Sequence, residues 1–103
     1  MPVAPVTQLS VVAPGRCQLA GELGFSTAAS LWPQSATIHA AQRDGRVELD
    51  LSGVTHSDSA GLALLVAWQS QAKASGLDLR YSALPDRLMA IARISNVDSW
   101  LVG

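Results

Sequence analysis

A chain of 103 residues is long enough to bury one hydrophobic core and too short for two. Hydrophobic residues make up 49% of it and charged residues 15%, which excludes a disordered chain and leaves apolar surface to spare for a partner. A net charge of −1 lacks the basic footprint of a nucleic-acid binder, and the single cysteine, Cys17, excludes an internal disulfide framework and argues against a cysteine-based zinc site.

Residues 1–7, rich in proline, read as a flexible N-terminal segment ahead of one domain over 8–103. This start has no positive region and no long apolar stretch, so it does not read as a secretory signal. No run reaches the ~20 apolar residues of a membrane span, and the expectation is a soluble, cytoplasmic protein. "QLSVVA" and "RCQLAGEL" flank Pro14-Gly15, a pair suited to a type II turn, and predict a hairpin with Cys17, Leu19 and Leu23 on one face. Cys17 reads as a small core residue.

Residues 26–42 predict a helix that Ser26 or Thr27 can cap, with a kink or restart at Pro33. "RVELDLS" alternates Val47, Leu49 and Leu51 against Arg46, Glu48 and Asp50, a strand ending at Gly53. A loop of about five residues then leads to a helix over 59–75, closed by Gly76. "LDLRYSA" predicts a further strand, and "PDRLMAIARIS" an amphipathic helix that starts at Pro85 and ends at Asn96. "WLV", 100–102, reads as a short last strand. Alternating strands and helices predict an α/β domain with a mixed sheet. Because the strands are apolar on one side only, the helices are expected mainly on one face. Glu48, Asp50, Asp78 and Arg80 then decorate a solvated face, a simpler reading than an acid–base pair.

The densest polar cluster is "THSDSAG". Asp58 suits the cap of the 59–75 helix, accepting from the N–H groups of Ala60 or Gly61, with Ser57 as the competing cap. Ser59 then lies in the first turn, where the helix dipole favours a phosphate and Asp58 opposes one. Ala60 and Gly61 lack bulk, so another chain can approach closely. Leu62 to Trp68 is apolar around nearly the whole helix, so one side meets the sheet and the other a neighbouring helix or a second protein. A serine nucleophile needs a base within reach, and His56 sits too near in sequence to be placed freely, so no catalytic residue is assigned. The hydrolase elbow and both common glycine-rich nucleotide loops are missing from the sequence, and nothing in it calls for a cofactor or a metal.

"DSAGL", 58–62, after "VELDLSGV" and before an apolar helix, resembles the signature of STAS domains, the fold of bacterial anti-sigma-factor antagonists and of sulfate-transporter tails. "GEL", 21–23, and "ASGLDLRYSAL", 74–84, extend the likeness over residues 8–101. "LW", 31–32, together with "DSAGLALL", is similar more narrowly to the STAS subunits of Mla-type phospholipid-transport ABC complexes. That resemblance implies a non-catalytic protein docked on the transporter ATPase, peripheral to the inner membrane through that partner, in a system that maintains outer-membrane lipid asymmetry. It implies that Ser59 and Trp32 are interface residues, within a partner-binding set of Trp32, His56, Ser57, Asp58, Ser59, Ala60, Gly61 and Leu62. The antagonists imply the alternative, in which Ser59 is phosphorylated. Pro33, directly after Trp32, departs from the expected helix, and the apolar helix leaves homodimerisation of the isolated chain open.

Overall fold

A computed structural model describes residues 7–101. Residues 1–6 of the expected flexible segment, and the end of the "WLV" stretch, lie outside the described residues. Thr7 is tied down, its hydroxyl donating to the Glu22 carbonyl at 2.6 Å.

Strand β1 (Gln8–Ala13) turns back through Pro14-Gly15 into β2 (Arg16–Leu23), and the two pair antiparallel. Gly15 sits at φ +77°, the left-handed position that a type II turn requires after proline. Two short helices follow, α1 (Ala28–Leu31) and α2 (Ser35–Ala40), separated by a 3-10 turn at Trp32–Gln34. This is the restart expected at Pro33, which has no N–H to continue the ladder. Then come β3 (Arg46–Ser57), α3 (Ser59–Ala74), β4 (Asp78–Ser82) and α4 (Asp86–Ile94).

The sheet order is β1-β2-β3-β4, with β2–β3 and β3–β4 parallel. The inward row is fully buried: Cys17, Leu19 and Leu23 on β2, Val47, Leu49 and Leu51 on β3, and Leu79 on β4. Against it pack Leu31 and Ile38, then Leu62, Leu65, Trp68 and Ala72 of α3, and Leu88 and Ala92 of α4. Gln69 is buried with them and donates to the Leu79 carbonyl at 2.9 Å, so its amide stays satisfied. Tyr81 donates its hydroxyl to the Leu65 carbonyl, and burial pushes that phenol's pKa up. The opposite face is polar, as the alternation implied. Arg16 bridges Glu48 at 3.4 Å and Asp50 at 3.3 Å, and Arg80 pairs with Asp78 at 3.3 Å.

Two expectations are corrected. The loop anticipated between Gly53 and the next helix does not form: β3 runs on to Ser57, and only Asp58 separates it from α3. The parallel partner β2 continues to Leu23, opposite Ser57, so the backbone groups of 53–57 are claimed by the ladder. Gly53 lets that ladder pass, because a Cβ there meets the Ala20 Cβ at 2.9 Å. Among the described residues the expected last strand does not form either: Asp98–Trp100 is a 3-10 turn, with the Lys73 ammonium 4.4 Å from the Trp100 ring centroid.

Candidate interaction site

The ends of β2 and β3 and the start of α3 meet at one edge of the sheet, and Asp58 stands at their junction. Its Oδ1 accepts from the N–H of Ala60 at 2.9 Å and of Gly61 at 3.1 Å, which makes it the N-cap of α3. Its Oδ2 accepts from the N–H of Phe25 at 3.1 Å, across 33 residues of sequence. The Phe25 N–H does most to hold the Asp58 carboxyl below the usual carboxylate range. The Gly61 and Ala60 N–H groups and the charge of His56 add to it, against an opposing effect of burial. Asp58 therefore stays ionised and locks the β2–α1 turn to the head of α3.

The sequence-derived set divides around this carboxylate. Ser59 and His56 are exposed, Asp58 and Ala60 half-buried, and Ser57, Gly61 and Leu62 buried. The buried three shape the surface from beneath. The small size of Gly61 serves the chain's own packing, because a Cβ there overlaps the Leu23 carbonyl. Trp32 is 45% exposed while its neighbour Leu31 is fully buried. The Trp32 carbonyl accepts from the indole N–H of Trp68 at 3.4 Å, which ties the start of the 3-10 turn to α3. His56 lines a shallow recess with Val54, Thr55, Pro85 and Arg87, on the α4 side of the sheet edge. Ser26 and Thr27 do not cap α1 with their side chains. Thr27 Oγ1 instead accepts from the Gly24 N–H at 3.1 Å and donates to the Glu22 carbonyl at 3.0 Å.

The apolar run of α3 splits as expected. Leu62, Leu65 and Trp68 enter the core, while Ala63, Val66 and Ala67 line an open groove of about 390 Å³ completed by Ser95 and Val97 beyond α4. Ser59 stands at the head of that groove, and no charged residue lines it. No helix among the described residues is long and apolar enough to cross a membrane.

Sequence reasoning missed Phe25, which is 85% exposed, and Ile94, which is 87% exposed at the end of α4. A signal for Phe25 was available: it is the chain's one phenylalanine, and it follows Gly24 outside any apolar period.

Residues 9–103 match the family profile described as "Mlab, STAS domain". The fold is similar to two structures of SpoIIAA, the first of them from Bacillus. One is described as the cell fate determinant in its phosphorylated form, at 15% identity and TM-score 0.66, covering 94% of this chain and 89% of that one. The other is the anti-sigma factor antagonist in its unphosphorylated form, at 16% identity and TM-score 0.68, covering 94% and 86%. No curated protein is similar enough to match.

Proposed function

The chain belongs to the STAS-domain family described as "Mlab, STAS domain", and from that premise we propose that it is the non-catalytic STAS subunit of a phospholipid-transport ABC complex. In this reading it docks on the ATPase subunit in the cytoplasm, peripheral to the inner membrane, and supports that ATPase in maintaining outer-membrane lipid asymmetry. The observation that carries it is the exposed Ser59 at the head of an uncharged apolar groove, a surface fitted to a protein. Leu62 lines the groove, and Asp58, Ala60 and Gly61 build its head through the α3 cap. Trp32 and His56 are exposed outside it, on the 3-10 turn and in the recess beside Pro85 and Arg87, and are proposed as the periphery of the same interface, with buried Ser57 beneath. Co-expression with the ATPase of the same organism's phospholipid-transport system tests it. The two chains co-purify in fixed ratio, and Ser59→Arg disrupts the complex while the variant stays folded. A complex as tight with Ser59→Arg as without it refutes the interface.

A second reading is an anti-sigma-factor antagonist switched by phosphorylation of Ser59. It is favoured by the exposure of that hydroxyl in the first turn of α3, where the helix dipole favours a phosphate; the Asp58 carboxylate, which already holds the Ala60 and Gly61 N–H groups, opposes one. Mass spectrometry of the protein from stressed cells tests it, since phosphate on Ser59 is its requirement.

A further inference from the structure

We infer that Phe25 is the anchor of the partner surface headed by Ser59, and that its ring seats in an uncharged, apolar socket of the protein partner. The inference rests on the reading of Ser59 as an interface residue.

Every residue around Phe25 is tied down while its side chain stands free. The Phe25 N–H is held by Asp58 Oδ2 at 3.1 Å. On one side the Gly24 carbonyl accepts from the N–H groups of Thr27 at 3.0 Å and Ala28 at 2.8 Å. On the other, the Ser26 hydroxyl donates to the Glu22 carboxylate at 3.1 Å. Gly24 leaves room for that carboxylate, because a Cβ there would meet Asp58 Oδ2 at 2.6 Å and push it from the Phe25 N–H. A turn built only to reverse the chain needs a small polar residue at this point. A phenyl ring with 85% of its surface in water adds nothing to folding. A ring on a rigid support is, by contrast, a prepaid binding element: two side-chain torsions are all it loses on docking.

The chemistry of the occupant follows from what surrounds the ring. Of the two carboxylates near the Phe25 backbone, Asp58 is engaged by three N–H groups and Glu22 accepts from the Ser26 hydroxyl, so both already have partners within the chain. The groove beyond Ser59, walled by Leu62, Ala63, Val66, Ala67 and Val97, carries no cation that holds a phosphate or a lipid headgroup. An apolar protein surface is the complement of both.

The test uses the full chain and the cognate ATPase. Phe25→Ala is expected to leave the thermal midpoint unchanged and to weaken the complex by ~30-fold, the size of a hot-spot loss. Phe25→Leu is expected to recover most of it. Asp58→Asn keeps a good capping oxygen for α3 but turns a donor toward the Phe25 N–H. It is therefore expected to weaken binding when Phe25 is present and to change it by less than ~2-fold in the Phe25→Ala background. Binding of Phe25→Ala within ~2-fold of wild type, with Ser59→Arg disruptive, overturns the anchor and leaves the interface standing. Indifference to both substitutions overturns the two readings together. A self-associated free chain that Phe25→Ala converts to monomer, with ATPase binding unaltered, assigns the ring to a second copy and likewise overturns the inference.

Discussion

Gly61 packs flush against the backbone carbonyl of Leu23, so closely that no side chain fits between α3 and the end of β2. The contact follows from Asp58 alone separating β3 from α3: the helix leaves the sheet directly over the neighbouring strand. Gly61→Ala is therefore expected to destabilise the fold by about 3 kcal/mol or more, because a backbone carbonyl cannot rotate aside as a side chain can. Gly76→Ala has open space for its Cβ and is penalised only by a φ of +76°, an expected loss of about 1–2 kcal/mol. Urea denaturation of the two variants checks the order. Equal losses contradict the close approach.

Removing the Asp58 side chain takes away a helix cap and the tie to Phe25 together. Asp58→Ala is expected to cost about 1–2 kcal/mol, and Asp58→Asn less, because asparagine is nearly as good a cap. An alanine variant as stable as wild type in urea counts against this role.

Stability should also depend on acid in a defined direction. The folded state holds the Asp58 carboxyl below its ordinary pKa, and it lowers Asp50 too, through the Ser52 N–H and hydroxyl first and Arg16 after them. The folded protein therefore binds these protons less readily than the unfolded chain. Their stabilisation is complete above the ordinary carboxylate value of ~3.9 and is lost as pH falls through the depressed values. The urea midpoint is expected to be flat near neutrality and to drop below about pH 4. Asp58→Asn should make that drop shallower and leave the Asp50 part. An unchanged slope in the variant contradicts the depressed carboxyl.

Trp32 and Trp68 are joined by one hydrogen bond and have opposite surroundings, 45% and 1% exposed. Trp68→Ala empties the core and is expected to cost about 3–5 kcal/mol. Trp32→Ala is expected to cost under about 1 kcal/mol, because its side chain is half in water and the acceptor is its backbone carbonyl. Acrylamide should quench the emission lost in Trp32→Phe more readily than that lost in Trp68→Phe.

The Arg16 bridges to Glu48 and Asp50 lie on the solvated sheet face. Arg16→Ala is expected to change stability by less than about 1 kcal/mol, with the difference shrinking in high salt. A larger, salt-independent loss indicates that the arginine stem packs on the sheet.

Much of this molecule is legible in one dimension. The alternation of Val47, Leu49 and Leu51 with charged neighbours decides which sheet face is buried, because side chains on a strand point alternately up and down. Pro14-Gly15 sets a turn, Pro33 breaks a helix, and Asp58 caps one, because each acts on backbone groups within four residues of itself. "DSAGL" marks the start of α3 for the same reason.

Only the tertiary structure decided what spans the chain. The extension of β3 to Ser57 depends on β2 lying beside it, and a polar, glycine-containing stretch does not announce a strand until a partner supplies its hydrogen bonds. The job of Gly61 depends on Leu23, and the exposure of Phe25 on Asp58, each more than 30 residues away. Composition places a lone phenylalanine in the core by default. Folding put it outside, because the backbone that carries it is held by a carboxylate from a distant part of the chain.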